Sequence, residues 1–226
     1  MKRKIIFITI CTMLAFTACK KNKTTPQQPI DEVIYPSYSM MKTGNYWIYR
    51  IYELDSNYAT FDSLNTTDSI YVEKDTVIAG QTYYKYCQPE AAGSAVYTVK
   101  FLRDSLDYIV TSSGAIQFSS ADFVSIFYTH YRIDLQHNIS PMDTPFYLKE
   151  QMGDRNLQII VPAGTYVTNS WQTTYFENAY FAQYGPVIRK TNIRYSAGIG
   201  KVSEILPYYL SDPNYRERRL IRYQLK

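Results

Sequence analysis

Apolar and polar positions alternate along most of the chain. Tyr97, Val99 and Phe101 are separated by Thr98 and Lys100, and Leu106, Tyr108 and Val110 repeat the pattern after Asp104-Ser105, which predicts a hairpin. Ser69 to Asp75 and Thr82 to Cys87 form a second pair around Val77-Ile78-Ala79-Gly80-Gln81, where Gly80 supplies the positive φ of a tight reversal. Leu157, Ile159 and Val161 alternate up to Pro162-Ala163-Gly164, and Thr165 to Trp171 resumes a β-rich run. Val187 to Tyr195, Lys201 to Leu206 and Arg218 to Leu225 complete the strands. Tyr46 to Leu54 is apolar on both parities, which predicts a strand covered on both faces.

One stretch has a helical period. Phe123, Ile126, Phe127 and His130 recur at i, i+3, i+4 and i+7 behind Ser119 and Ser120 as caps, so Ser120 to Arg132 is expected to be helical, with a strand as the alternative that its Phe, Val, Ile and Tyr favour. Strands otherwise follow strands through short turns. The expected fold is therefore all-β: a mostly antiparallel, strongly curved sheet or open barrel with one or two short helices. Its concave apolar face must be filled by a helix, by long side chains or by a ligand.

The first 34 residues depart from this pattern. Met1 to Lys4 is basic, Ile5 to Phe16 is mostly apolar and too short to span a bilayer comfortably, and Thr17-Ala18 places small residues before Cys19. Phe16-Thr17-Ala18-Cys19 resembles the lipobox of bacterial lipoproteins, although Phe16 stands where Leu is commoner. The resemblance implies removal of residues 1–18, acylation of Cys19 and attachment to a membrane through it. Several acyl chains on one residue give a stable anchor where one would be marginal. Residues 20–34, KKNKTTPQQPIDEVI, have the composition of a flexible tether, so 19–34 is read as an acylated linker and 35–226 as a single β-rich domain.

Composition adds exclusions. The 226 residues are 46% hydrophobic and 19% charged, which fits a globular domain and not a collagen-like, coiled-coil or disordered chain. There are 24 Lys and Arg against 20 Asp and Glu, and losing Lys2, Arg3 and Lys4 leaves 21 against 20, so no nucleic-acid partner is expected. Of three cysteines, Cys11 leaves with the signal and Cys19 is the lipid site, so Cys87 has no disulfide partner and reads as a small buried hydrophobe.

Catalytic signatures are sparse. His130 and His137 flank Asp134 without convergent metal-ligand spacing, and Ser196-Ala197-Gly198-Ile199-Gly200-Lys201 lacks the glycine that a phosphate loop needs five positions before its Gly-Lys, so it reads as a turn. No GxSxG surrounds any serine. The acid pairs Glu73/Asp75 and Asp104/Asp107 read as strand-face or turn residues. Arg216, Arg218 and Arg222 fall on the wet side of a closing strand whose other side carries Tyr215, Ile221, Tyr223 and Leu225. No cofactor and no metal is expected. The aromatic excess, 24 Tyr in a chain that is 16% aromatic, suits half-buried sheet faces and also ligand grooves. Trp47, Trp171, Tyr175 and Phe176 are the candidate ligand-binding residues.

Three local patterns also belong together: Lys42-Thr43-Gly44-Asn45-Tyr46-Trp47-Ile48-Tyr49, Val161-Pro162-Ala163-Gly164-Thr165-Tyr166 and Ala197-Gly198-Ile199-Gly200-Lys201-Val202. In these the chain resembles a group of Bacteroidetes lipoproteins built as one β-rich domain, a resemblance that covers most of 42–206 but not 122–154. It transfers no activity and no catalytic residues. The resulting expectation is a cell-envelope lipoprotein that binds an apolar or amphipathic molecule without catalysis, in an open apolar pocket with few charges inside. The alternative is a structural, interaction or glycan-binding module with a filled core and an aromatic patch outside; a hydrolase would need acids or His converging from distant segments. Lipid, glycan or envelope protein are the partners considered. The absence of an acidic run after Cys19 points to the outer membrane, facing the periplasm.

Overall fold

A computed structural model describes residues 35–132, 146–177, 188–207 and 215–226, so the signal, Cys19 and the tether lie outside the described residues. Thirteen strands are described and no helix. They are β1 (Tyr46–Leu54), β2 (Thr60–Ile78), β3 (Gln81–Pro89), β4 (Tyr97–Ser105), β5 (Tyr108–Thr111), β6 (Ile116–Ser119), β7 (Ile126–Arg132), β8 (Phe146–Met152), β9 (Leu157–Val161), β10 (Gly164–Glu177), β11 (Ile188–Ser196), β12 (Gly200–Pro207) and β13 (Tyr215–Gln224). The sheet runs β6-β5-β4-β3-β2-β1-β13-β12-β11-β10-β8-β7, with β9 paired only to β10, and every pairing is antiparallel.

This sheet curls until its two edges, β6 and β7, face one another across a seam. Side chains bridge the seam where backbone pairing stops: the Ile116 N–H donates to the Tyr128 hydroxyl, and the Ser119 N–H reaches Met152 Sδ at 3.3 Å. The expected curved all-β sheet is thus a barrel closed except at one seam. Its hairpins follow turn chemistry. Ala79 and Gly80 both have positive φ, 49° and 76°, which joins β2 to β3 by a two-residue turn matched to strand twist.

The expected helix is corrected. Ile126–Arg132 is strand β7, paired along β8, and the preceding residues form a loop. Ser119, read as a helix cap, still binds backbone N–H groups, but in a local turn: its Oγ accepts from Ala121 and Asp122, and Asp122 Oδ1 in turn accepts from Val124 and Ser125. Aromatic and β-branched side chains with a partner strand available outweighed a four-residue helical period.

Strand alternation gives the barrel two distinct ends. The turns β2–β3, β4–β5, β6–β7 and β11–β12, the start of β1 and the C-terminus share one of them. Residues 35–45 and the β9–β10 hairpin cover it: the Gly198 N–H donates to the Ser37 carbonyl, the Ala163 N–H to the Leu220 carbonyl, and the Asn45 side chain to the Met40 carbonyl. Tyr38, Met40, Ile159 and Tyr166 pack from these covers onto the core. We call this the capped end. The far end carries the β1–β2, β3–β4 and β5–β6 loops.

Both faces of β1 were expected to be covered. Instead Trp47, Tyr49 and Ile51 are sealed inside the barrel, whereas Tyr46, Ile48 and Tyr52 on the outer face are only half-buried and Arg50 is exposed. Leu54 is buried in a small outer cluster with Ile205 and Tyr215, over which Tyr58 stacks at 4.6 Å.

Candidate functional site

The interior near the capped end is packed with side chains. Trp47, Tyr49, Ile70, Val72, Leu102, Phe118, Trp171, Val202 and Leu220 belong to one continuous core. Trp47 explains two of the sequence patterns at once. Its indole N–H donates to the Ile199 carbonyl at 2.7 Å and its ring lies over Gly200, where a Cβ would meet it at 3.0 Å. Gly200 also has φ of 96°, so only glycine suits this turn. The remaining pattern, Val161-Pro162-Ala163-Gly164-Thr165-Tyr166, closes the same end through Ala163 and the buried Val161. The glycine-lysine turn is therefore a packing site for an indole.

The interior next becomes ionic. Arg218 on β13, paired with Ile51, is 1% exposed and donates from Nε to Asp68 Oδ2 (2.6 Å), from Nη1 to Glu204 Oε2 (2.7 Å) and from Nη2 to the Pro89 carbonyl (3.2 Å). Lys201 Nζ reaches the same Glu204 oxygen at 3.1 Å and Gln88 Oε1 at 3.3 Å. Asp68 uses its other oxygen to accept the Gly93 N–H. Two cations and two carboxylates, all buried, thus balance to zero charge across β2, β12 and β13 and fix the β3–β4 loop.

Protonation follows this geometry. Burial would raise the Glu204 carboxyl, but Lys201 and Arg218 outweigh it and push it down to about 2. Burial pushes Lys201 down to about 8, only partly offset by Glu204. Burial opposes the Arg218 charge, yet Glu204 and Asp68 raise its pKa further. Three phenols around the quartet, Tyr49, Tyr86 and Tyr195, are raised chiefly by burial. Tyr49 spends its hydroxyl on the Lys201 carbonyl at 2.8 Å.

Toward the far end the interior stays polar. Glu150 accepts from Thr173, its carboxyl is raised by burial against the pull of His130 and Lys100, and His130 Nε2 lies 3.8 Å from Glu150 Oε2. A solvent-open cleft of about 380 Å³ lies at this edge of the barrel, bounded among the described residues by His130, Leu148 and Glu150 of the inner face and Tyr131 of the outer one. The expected apolar concavity with few charges is corrected: among the described residues the apolar half is filled and the other half is lined by ionisable and hydroxyl groups.

The four aromatic candidates do not converge. Trp47 and Trp171 are both core residues, and Trp171 stacks on Phe127 at 5.3 Å. Tyr175 lies two pairs beyond Thr173 on the inner parity of β10, opposite Leu148. Phe176 is outside, stacked on Tyr147 at 4.7 Å and 9°, with Tyr131 5.8 Å from Tyr147 and Lys149 Nζ 5.5 Å over the Phe176 ring. Register places Tyr131, Tyr147 and Phe176 side by side on β7, β8 and β10, so they form one row on the outer face. Tyr131 and Tyr147 were not singled out in the sequence; the signal that finds them is a shared register. Cys87 is buried, as its reading required, and His137 lies outside the described residues.

Arg218 was the residue most misplaced by alternation. It was assigned to a wet basic side, but it and Leu220 point into the barrel. A bulge shifts the β1–β13 register from Ile48↔Arg222 to Tyr49↔Leu220, so Ile221 has no partner and parity reverses across it.

No protein-family model and no curated protein sequence matches the chain. Two solved structures are similar. A candidate lipoprotein from Parabacteroides distasonis ATCC 8503 matches over 85% of this chain and 100% of its own, at 11% identity and a TM-score of 0.44. A candidate exported protein with a YmcC-like fold from Bacteroides fragilis NCTC 9343 matches over 84% of this chain and 100% of its own, at 12% identity and a TM-score of 0.41.

Proposed function

We propose that the protein is a non-enzymatic envelope lipoprotein, anchored through acylated Cys19 to the outer membrane on its periplasmic side, whose barrel serves as a rigid scaffold for binding glycan on its outer face. The observation that carries this reading is the row Tyr131, Tyr147 and Phe176 standing outside a barrel whose apolar half is filled. Flat rings present apolar faces and edges to the C–H surfaces of sugar rings, and the adjoining Lys149 and Gln172 supply polar groups for hydroxyls. Among the described residues, side chains rather than an open apolar pocket occupy the barrel near its capped end. Binding of the acylated full chain to immobilised envelope polysaccharides tests the reading: Tyr147→Ala and Phe176→Ala should each weaken retention about tenfold or more, a loss on the scale of a stacked ring, while retention unchanged in both variants would remove it.

A second reading has its own observation. The cavity beside His130 and Glu150 fits a small polar ligand carrying both a hydrogen-bond donor and an acceptor. Binding abolished by Glu150→Gln yet indifferent to Phe176→Ala would favour it over the outer row.

A further inference from the structure

Soluble folding does not account for what projects from the capped end. Leu106 is 78% exposed, Val124 is 93% exposed and Ile160 is 79% exposed, and they come from three different elements: the β4–β5 turn, the β6–β7 loop and the β9–β10 cap. Val77 on the β2–β3 hairpin and Val167 on the cap are exposed as well. Two of these side chains are held out by the backbone itself. Leu106 has φ of 56°, a left-handed conformation that glycine or asparagine adopts more cheaply than leucine, and Val124 is presented by the Asp122 carboxylate that binds its N–H. A turn that places a branched aliphatic in a strained conformation to show it to water gains nothing from folding.

The chain also reaches the barrel at this end. Tyr35 and Pro36 lie beside Leu106 and Tyr108, so the first described residues sit at the capped end. Sixteen residues, 19–34, connect them to the acyl chains proposed on Cys19, and a flexible linker of that length has a mean reach of roughly 20–25 Å. A tether so short holds the capped end at high effective concentration against whatever carries the acyl chains.

We infer that the capped end is a membrane-contacting face, on which Leu106, Val124, Ile160, Val77 and Val167 insert into the lipid surface to which Cys19 is anchored. The inference rests on the lipoprotein reading and adds an orientation to it: the far end of the barrel, with the His130–Glu150 cavity, points away from the bilayer. Charge at the capped end is mixed, with Lys42 and Lys74 beside Asp75, so aliphatic insertion seats the domain and attraction to anionic lipid contributes little. The capped end therefore takes neutral phospholipid.

The test uses the acylated full chain reconstituted into phosphatidylcholine vesicles, with an environment-sensitive fluorophore on Val124→Cys, on Ile160→Cys or on the far-end control Val96→Cys. All three positions are exposed, so labelling leaves the core intact. Lipids with a quencher on the acyl chain should reduce emission at Val124 and Ile160 about fivefold more than at Val96, as expected for residues seated at the acyl boundary. That ratio should persist when salt is raised about tenfold, because the contact is not electrostatic. Protein that fails to float with the vesicles would show that the anchoring itself is wrong. Flotation with no quenching at Val124 and Ile160 overturns the orientation alone, as does stronger quenching at Val96. Energy transfer between labelled copies in place of lipid quenching would assign the aliphatic tips to a second copy of the chain and likewise overturn it.

Discussion

Toward the capped end, β1 and β13 bring Tyr49 opposite Leu220 and the barrel is filled by rings and aliphatics; one inward pair further along the same strands, Ile51 faces Arg218 and the interior turns to ions. The two halves hold the same strands together by different physics. The apolar half gains from area removed from water and tolerates no specific charge state. The ionic half gains little over an apolar filling of the same volume, but it fails badly if one member is lost, because the remaining charges are buried without compensation. What the contrast teaches is where each half is fragile: the first to lost volume, the second to lost protonation balance.

The largest effect should come from Arg218→Ala, which strands the Asp68 and Glu204 carboxylates together. Denaturant unfolding should show a loss of about 3–5 kcal/mol. Trp47→Ala in the other half should cost a comparable 3–5 kcal/mol or so through a cavity and an unsatisfied Ile199 carbonyl. The two differ in their pH response, and that difference sharpens the comparison. Only the Arg218 variant should change the dependence of stability on pH, and equal profiles for both would break the division into halves.

The pH profile itself has a defined sign. Glu204 is held near 2 in the folded protein against its ordinary 4.5, so its contribution is present above pH 4.5 and is lost as pH falls toward 2. Lys201, at about 8 against 10.5, binds fewer protons folded than unfolded between those values, so by itself it makes stability rise with pH from about 8. Above pH 10 the three raised tyrosines oppose this, since the unfolded chain loses their protons first. Lys201→Met should therefore flatten the rise between pH 8 and 10, and Glu204→Gln should flatten the acid fall; unfolding midpoints measured across pH check both. The smallest effect lies outside both halves. Leu106→Gly relieves a left-handed leucine and should leave stability unchanged or raise it by up to about 1 kcal/mol.

The strands of this barrel are readable from alternation, and its hairpin turns from glycine, because both signals act within a few residues. The β4–β5 reversal, expected at Asp104-Ser105, falls instead at Leu106-Asp107, since a leucine in left-handed conformation is not a turn signal. The ionic quartet was invisible for two reasons. A single unpaired Ile221 reverses the parity of β13, and the acids that make a buried Arg218 tolerable come from β2 and β12, so no local pattern announces them. The aromatic row failed in the opposite way: Phe176 was picked out, but its neighbours Tyr131 and Tyr147 depend on register between three strands. Trp47 and Trp171, chosen for size and sequence context, are core residues because large rings are what fill a barrel of this curvature.

Among the described residues the apolar half of the barrel is packed with its own side chains. Trp47 and Trp171, the two tryptophans of the chain, both lie inside the apolar half, so a passenger entering it must approach an indole. Tryptophan emission titrated with a brominated fatty acid, whose heavy atom quenches on contact, is the most direct test. The filled interior predicts weak, linear, non-saturating quenching; saturable quenching at one ligand per chain would contradict it.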